Sequence, residues 1–336
     1  MSGKEALRRA QLGAETTPGT AVAATAIWRG RITLQSDEKV VLPEEDAGVF
    51  GGYDRSYIPF LGAGADFEET PATYEQLPYL LNAGIAAATP VQDGTGSGYI
   101  YTYTLAESAE PTIKTYTIEG SDDTQIEEME YAFVDELTLS GASKEAVMMS
   151  AHWTGRQLTP TTHTTGLTPP TVSEILFGNG MLYIDDIDDT PGTTLKANTL
   201  LGFKLSLKTG LQPLYSADGA VYFATHAFVS PEPELELTLL HNAVGRAEVA
   251  AMQAQTPRLI RLKFEGPALQ TGGTTYSKKT LIIDCSGKYE SKPPLAARDG
   301  NDIVTLKLLI KRNTGATVFG AKRLEMVVVN ELSALP

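Results

Sequence analysis

The feature that most constrains the fold is a succession of short strand-like segments along nearly the whole chain of 336 residues. Within each segment β-branched and aromatic residues are frequent, and runs of apolar and polar side chains alternate, which is typical of strands with one buried face. Turn pairs such as Asp93-Gly94, Asp218-Gly219 and Asp299-Gly300 separate them. The predicted strands are Ile27–Gln35, Tyr99–Leu105, Thr112–Glu119, Glu130–Leu139, Ala146–Trp153, Leu200–Lys208, Val221–Val229, Leu235–Leu240, Leu259–Phe264, Thr280–Cys285, Ile303–Ile310 and Leu324–Val329.

Only two segments favour a helix. The first, Thr73–Ala83, is followed by Gly84, but Pro78 requires the helix to begin late or to bend. The second, Gly245–Gln253, is rich in alanine, which favours helix. The sequence therefore predicts a mainly β protein with a short helix in each half.

Three internal matches occur in the same order in the two halves of the chain. They pair Thr17–Leu34 with Thr190–Leu207, Lys114–Glu119 with Lys279–Asp284, and Asp135–Leu139 with Asp302–Leu306. Collinear matches at a similar spacing indicate a duplication. We therefore predict two domains, 1–165 and 166–336, joined within the Thr- and Pro-rich stretch 157–173.

The charge is strongly acidic and unevenly distributed. The net charge is −14, and residues 1–168 carry 10 Lys and Arg against 24 Asp and Glu, whereas residues 169–336 carry 17 of each kind. A protein that binds nucleic acid specifically would show a basic stripe, and the sequence has none.

No motif of a catalytic, cofactor or metal site stands out. The four histidines do not lie at metal-ligand spacing, and Cys285 sits in an apolar run typical of a buried thiol. The acidic run Asp185–Asp189 lacks the ligand spacing of an EF-hand, so we interpret it as a solvated turn. We expect no enzyme, no cofactor and no metal.

No apolar segment resembles a secretory signal or reaches the length of a membrane span, about 20 residues. We expect a protein assembled in the cytoplasm without a membrane partner. This expectation, together with the presence of only two tryptophans, argues against a secreted carbohydrate-binding or adhesin module.

The order of these segments resembles the tail-tube (major tail) proteins of long-tailed phages, in a duplicated two-domain form. The resemblance covers most of the first half and depends on order and character more than on invariant residues. It rests on Gln11–Val22, Trp28–Leu34, the long loop that follows, Phe67–Leu81, Tyr101–Thr104, Thr115–Ile118, Val134–Leu139 and Ala146–Trp153.

The resemblance implies two tandem β-sandwich or partly closed barrel domains, each flanked by one short helix. The first would include an N-terminal arm, residues 1–25, and a long loop, residues 36–65. Six such units would line a ring, so that a duplicated chain would form trimers with pseudo-sixfold symmetry. A single tube unit with an added outer domain would form hexamers instead.

The implied function is structural: stacked rings form a tube in the virion tail, and DNA passes through the lumen during ejection. The implied partners are other copies of the chain and the tape-measure, terminator and tail-tip proteins, and the DNA would pass without specific binding. Another β-rich virion component, such as a tail terminator, a baseplate protein or a capsid decoration protein, is the alternative.

Two sets of residues are candidates for these roles. Apolar side chains are many for a loop, so the long loop would contact the next ring; the candidates are Val49, Phe50, Tyr53, Tyr57, Ile58 and Phe60. An acidic lumen wall would repel phosphate and let DNA slide; the candidates are Asp122, Asp123, Glu127, Glu128 and Glu130.

Overall fold

The computed structural model describes residues 3–46, 48–51, 54–292 and 294–336. The chain is mainly β, as the sequence predicts. The helices are α1 (Leu77–Gly84) and α2 (Ala243–Gln253). The strands of the first half are β1 (Gln11–Ala14), β2 (Ala26–Ile27), β3 (Ile32–Ser36), β4 (Ala63–Pro71), β5 (Val91–Gln92), β6 (Tyr99–Thr104), β7 (Tyr116–Ser121), β8 (Ile126–Ala142), β9 (Met148–Gly155) and β10 (Leu158–Thr161). Those of the second half are β11 (Gly180–Asp186), β12 (Leu200–Lys208), β13 (Leu211–Leu214), β14 (Thr225–Phe228), β15 (Glu232–Leu240), β16 (Arg258–Ala268), β17 (Lys278–Ser291), β18 (Ala296–Arg298), β19 (Asn301–Ile310) and β20 (Leu324–Asn330).

Two antiparallel sheets pack face to face in the first half. The smaller sheet has the order β2-β1-β7-β8-β10, and the larger one begins β3-β4-β9-β8. Strand β8 belongs to both, because its first part pairs with β7 and β10 and its second part with β9 and β12. Aromatic rings fill the space between the sheets: the ring centroids of Tyr116 and Trp153 lie 5.8 Å apart.

The second half repeats this arrangement. Its smaller sheet contains β11-β16-β17-β20, its larger sheet contains β12-β15-β19-β17, and β17 is the strand shared between them. Phe203 and Phe264 lie 5.5 Å apart between the two layers. Among the described residues no sheet closes on itself, so the halves are open sandwiches and do not form a closed barrel.

The pairing order gives each main strand of one half a counterpart in the other. The strands β1, β3, β4, β7, β8, β9 and β10 correspond to β11, β12, β15, β16, β17, β19 and β20. The first sequence match joins the counterparts β3 and β12. The other two matches join strands that are not counterparts: Lys114–Glu119 runs into β7 and Lys279–Asp284 lies in β17, while Asp135–Leu139 lies in β8 and Asp302–Leu306 in β19. The duplication stays a prediction, supported by the pairing order instead of by those two matches.

The two halves share one sheet. Pairing of β8 with β12 makes the two larger sheets a continuous run, β3-β4-β9-β8-β12-β15-β19-β17, which we call the long sheet. One cluster of buried apolar residues draws on both halves. The stretch predicted to join them packs on the first half, because the Thr164 N–H donates to Glu119 at 2.7 Å.

Local sequence explains the element ends. Helix α1 begins late, at Leu77, because Pro78 fits only the first turn, where no helical N–H is needed. Helix α2 begins after Asn242, whose side chain accepts hydrogen bonds from the Val244 and Gly245 N–H groups.

Candidate assembly surface

The pairing of β8 with β12, which we call the internal joint, connects the equivalent units of the two halves. Leu207 lies opposite Leu137, and Lys208 lies opposite Glu136. Just beyond the strand, the Thr209 N–H donates to the Asp135 carbonyl at 2.9 Å. The joint therefore shows how the first strand of one unit adds to the shared strand of another.

The strands at the two ends of the long sheet are counterparts of the two strands that pair in the internal joint. At one end is β3, the counterpart of β12, and at the other is the last part of β17, the counterpart of β8. Among the described residues β3 pairs only with β4, and residues 288–291 of β17 pair only with β19. We call these two the free edges.

The backbone groups at the free edges are oriented for pairing. The Asp37 N–H donates to the Gly62 carbonyl and the Arg31 carbonyl accepts from Glu68, so odd-numbered residues of β3 face β4. Leu34 and Ser36 therefore direct their N–H groups outward. On β17, the Ser286 carbonyl accepts a hydrogen bond from the Lys311 N–H on the β19 side, so Tyr289, three residues further on, directs its backbone groups to the open side.

Cross-strand neighbours fix which residues correspond between the two ends. One row of neighbours is Ile32, Phe67, Ala151 and Leu137, and its counterpart is Leu205, Leu235, Leu308 and Tyr289. Tyr289 thus corresponds to Leu137, and Leu34 corresponds to Leu207. Leu207, which lies opposite Leu137 in the internal joint, is buried, whereas Leu34 at the free edge is only half-buried.

Several apolar side chains in the described part of the long loop are exposed. Backbone hydrogen bonds between Val41 and Tyr57 hold its two arms together. Of the candidates named from sequence, Val49, Phe50, Tyr57 and Ile58 are exposed, and Phe60 is half-buried with its ring 5.8 Å from that of Tyr215. Tyr53 lies outside the described residues.

The counterpart of the long loop in the second half is a hairpin, residues 209–229, built on β13 and β14. This hairpin is docked on the first half of its own chain. Its Phe223 is fully buried, with ring centroids 5.0 Å from Tyr131 and 6.0 Å from Phe133. The Arg156 guanidinium fixes the hairpin backbone, donating to the Phe223 carbonyl at 3.0 Å and to the Ala224 carbonyl at 2.8 Å.

Comparisons with known proteins add no assignment. No family model matches the chain, and no curated protein matches it.

The five acidic lumen candidates lie together, but not on the long sheet. They occupy the turn between β7 and β8 and the first part of β8, which belongs to the smaller sheet. Asp122 accepts hydrogen bonds from the Gln125 and Thr124 N–H groups, which lower its pKa. Glu130 is partly buried, and burial raises its pKa. The other three are Asp123, Glu127 and Glu128.

The long sheet has one core-facing side and one polar side. On the polar side, His152 lies 2.7 Å from Asp135, and this hydrogen bond raises the pKa of the histidine. Carboxylates outnumber lysines on this polar side: Asp66, Glu68, Asp135, Glu136, Glu234 and Glu236 against Lys204, Lys208, Lys288 and Lys307. These carboxylates were not singled out from the sequence, because strand pairing alone brings them to one face.

Two residues with potential for chemistry, Cys285 and Asp185, are buried. Cys285 is buried, and burial raises the pKa of its thiol. Asp185 is buried as well, so the run Asp185–Asp189 is not the wholly solvated turn that we expected. The described residues contain no group of three or more His, Cys, Asp or Glu placed to hold a metal ion. In the same part of the chain, no helix is long and apolar enough to cross a membrane.

Sequence reasoning missed the free edges, although a signal was present. The first internal match, continued beyond the strands, places Ser36 opposite Thr209 and Phe50 opposite Phe223. The match therefore includes the start of the edge strand, and its continuation at the same offset reaches Phe50 in the long loop.

Proposed function

We propose that the chain is the structural subunit of a phage tail tube, polymerising as stacked rings around a lumen that conducts DNA during ejection. One observation carries the proposal: the long sheet contains a joint between equivalent units and ends in free edges of the same two kinds. An exposed row of unpaired backbone groups is a template for pairing with another chain.

The two edges are different from each other, so pairing between copies would be head to tail. A head-to-tail interface produces a ring if the rotation closes and an open filament if it does not. A joint between copies would repeat the internal joint, and a ring of six units would contain three copies of the chain. We therefore propose a trimer with pseudo-sixfold symmetry; a hexamer is the alternative.

In such a ring the long sheets form the wall, with their apolar side packed on the smaller sheets. The polar side would then face the lumen. Its excess of carboxylates would repel phosphate and would offer no release of counterions to hold the DNA. The proposed lumen-facing carboxylates are therefore those of the long sheet, in place of the candidates at the turn between β7 and β8 and in the first part of β8.

The proposal gives the chain a non-enzymatic role in the virion tail, after assembly in the host cytoplasm. Its partners would be other copies of itself and the tape-measure, terminator and tail-tip proteins, with DNA passing through unbound. A tail terminator, a baseplate protein or a capsid decoration protein could use the same edges to form a single ring. Indefinite stacking separates a tube subunit from these alternatives.

The test is negative-stain electron microscopy of the purified chain, with mass photometry on the same sample. Tubes or stacked rings whose smallest closed unit has the mass of three chains are the expected result. Rings of six chains would be consistent with a tube subunit but would reject the hypothesis that the second half is also a ring-forming unit. Discrete particles that do not stack, even after partner tail proteins are added, would overturn the tube assignment.

A further inference from the structure

At the offset of the first internal match, the long loop and the docked hairpin share an alanine, Ala47 and Ala220, and a phenylalanine, Phe50 and Phe223. The long loop contains Asp46-Ala-Gly-Val-Phe50, and the hairpin contains Asp218-Gly-Ala-Val-Tyr-Phe223. Phe50 and Phe223 each lie 16 residues beyond the matched leucines Leu34 and Leu207. The two phenylalanines therefore hold corresponding places in the two halves.

Their surroundings are opposite. Phe223 has an exposed fraction of 0%, whereas Phe50 has one of 114%. The hairpin is docked because the first half of the chain lies beside it across the internal joint. The long loop follows β3, which is a free edge, so the unit that would receive it is missing from a single chain.

A cavity marks the corresponding place on the second half. It has a volume of about 430 Å³ and borders the free edge of β17, and its lining includes Gln255, Lys288, Tyr289, Lys311 and Arg312. We call it the edge cavity.

The lining of the edge cavity matches the site of Phe223 by position. Ile113 packs beside Phe223 and precedes its strand, β7, by three residues; Gln255 precedes β16 by three residues. Arg156, which holds the hairpin, directly follows β9, and Lys311 and Arg312 directly follow β19.

Charge also favours the match. Residues 36–65 contain six acidic and two basic side chains. The cavity presents three basic residues, Lys288, Lys311 and Arg312, and one acidic residue, Glu290, which pairs with Lys307 at 3.3 Å. The side chains of the three basic residues are exposed and make no hydrogen bond or ion pair with any described residue. Complementary charge at the rim of an interface steers association and fixes its register.

We propose that the long loop docks on a second copy of this chain, with Phe50 inserted in the edge cavity of the neighbour in the same ring. The proposal rests on the assembly proposed above and names the partner surface for it. The family resemblance assigned the same loop to the next ring. The docked hairpin instead indicates a lateral contact, between units that share a sheet.

The first experiment is photocrosslinking from position 50. A benzophenone amino acid replaces Phe50, and isotopically labelled and unlabelled chains are mixed before assembly so that crosslinks between chains can be recognised. In isolated rings we expect crosslinks to peptides that contain residues 287–290 or 311–313. The same probe at Val91, which is also exposed, is the control and should not label these peptides.

The outcomes separate this inference from the proposed function. Tubes that form but crosslink position 50 only between rings, or to the first half of a neighbour, would reject the edge cavity and leave the tube intact. A chain that never self-associates would reject both.

A second experiment uses the variant Phe50→Ser with Val91→Ser as its control. Phe50 makes no buried contact within the chain, so the unfolding midpoint of Phe50→Ser should equal that of the wild type. We expect ring assembly to require about tenfold more protein, as for the loss of an anchoring aromatic at an interface. Unchanged assembly would overturn the proposal.

Discussion

The carboxylate of Glu15 accepts a hydrogen bond from the backbone N–H of Gly19 at 2.7 Å, within the turn Thr17-Pro-Gly-Thr20. In the second half, Asp185 accepts one from Gly192 at 2.7 Å, within Thr190-Pro-Gly-Thr193. Both glycines have positive φ, which a residue with a side chain adopts poorly. A buried acid at the end of a strand thus anchors the same turn in each half: Glu15 directly follows β1, and Asp185 is near the end of its counterpart β11. This supports the duplication at the level of single contacts.

Asp185→Ala should destabilise the fold. The Asp185 carboxylate also accepts from the Thr193 hydroxyl and from the Thr194 N–H, and its loss leaves these donors without a buried partner. We expect the free energy of unfolding to fall by about 2–3 kcal/mol, measured by chemical denaturation at neutral pH. Asp189→Ala, at an exposed position of the same acidic run, is the control and should change it by less than about 0.5 kcal/mol.

The destabilisation by Asp185→Ala should depend on pH. Burial alone would raise the pKa of Asp185, but the hydrogen bonds from Thr193, Gly192 and Thr194 outweigh it, and the pKa is lowered. A carboxyl with a lowered pKa in the folded state stabilises above its unfolded pKa, about 3.9, and loses this contribution as the pH falls through the folded value. The difference between wild type and variant should therefore shrink below about pH 4. A difference that is constant down to pH 2 would contradict this account.

A cysteine pair tests the register of the proposed joint between copies. Because Leu34 corresponds to Leu207 and Tyr289 to Leu137, Gln35 should face Lys288 of a neighbour as Lys208 faces Glu136. Their backbone groups point away from each other in that pairing, so the Cα atoms should lie about 4.5 Å apart, which suits a disulfide. We expect Gln35→Cys with Lys288→Cys to give covalent trimers on a non-reducing gel after assembly.

Two further pairs serve as controls for that register. Lys208→Cys with Glu136→Cys lies in the internal joint and should crosslink within one chain. Gln35→Cys with Glu290→Cys is displaced by two residues and should crosslink weakly. Equal crosslinking of the displaced pair would refute the register. The native Cys285 is buried and should not interfere.

The backbone hydrogen bonds of the joint can be tested separately from its side chains. Ser36 occupies the place of Thr209, whose N–H donates to Asp135 across the internal joint. Proline has no N–H, so Ser36→Pro should prevent assembly while the monomer stays folded, because the Ser36 N–H makes no bond to β4. Ser36→Ala keeps the N–H and should assemble normally. Circular dichroism checks the fold and mass photometry the assembly; tubes of Ser36→Pro would contradict the edge pairing.

The sequence predicts some elements well because their patterns are local. Leu200–Lys208 alternates apolar and polar residues from Phe203 onward and is strand β12 with the same bounds. In contrast, β4 begins Ala-Gly-Ala and continues with acidic residues, and it is a strand because β3 and β9 pair with it on both sides. The polar side of the long sheet was equally out of reach, since Glu136 and Glu234 come to the same face only because β8 and β15 both pair with β12.

Charge reversal can decide which acidic residues line the lumen. We compare two triple variants. One carries Glu68→Lys, Glu136→Lys and Glu236→Lys on the polar side of the long sheet. The other carries Asp122→Lys, Asp123→Lys and Glu127→Lys at and beside the turn between β7 and β8. Lysines in the lumen would release counterions on contact with phosphate and hold DNA. Reversal on the long sheet should therefore make assembled tubes retain a fluorescent duplex that is protected from nuclease, with retention falling as salt rises. Reversal at the turn should give only nuclease-sensitive binding on the outside of the tube. The opposite result would place the long sheet outside and return the lumen to the residues named from the sequence.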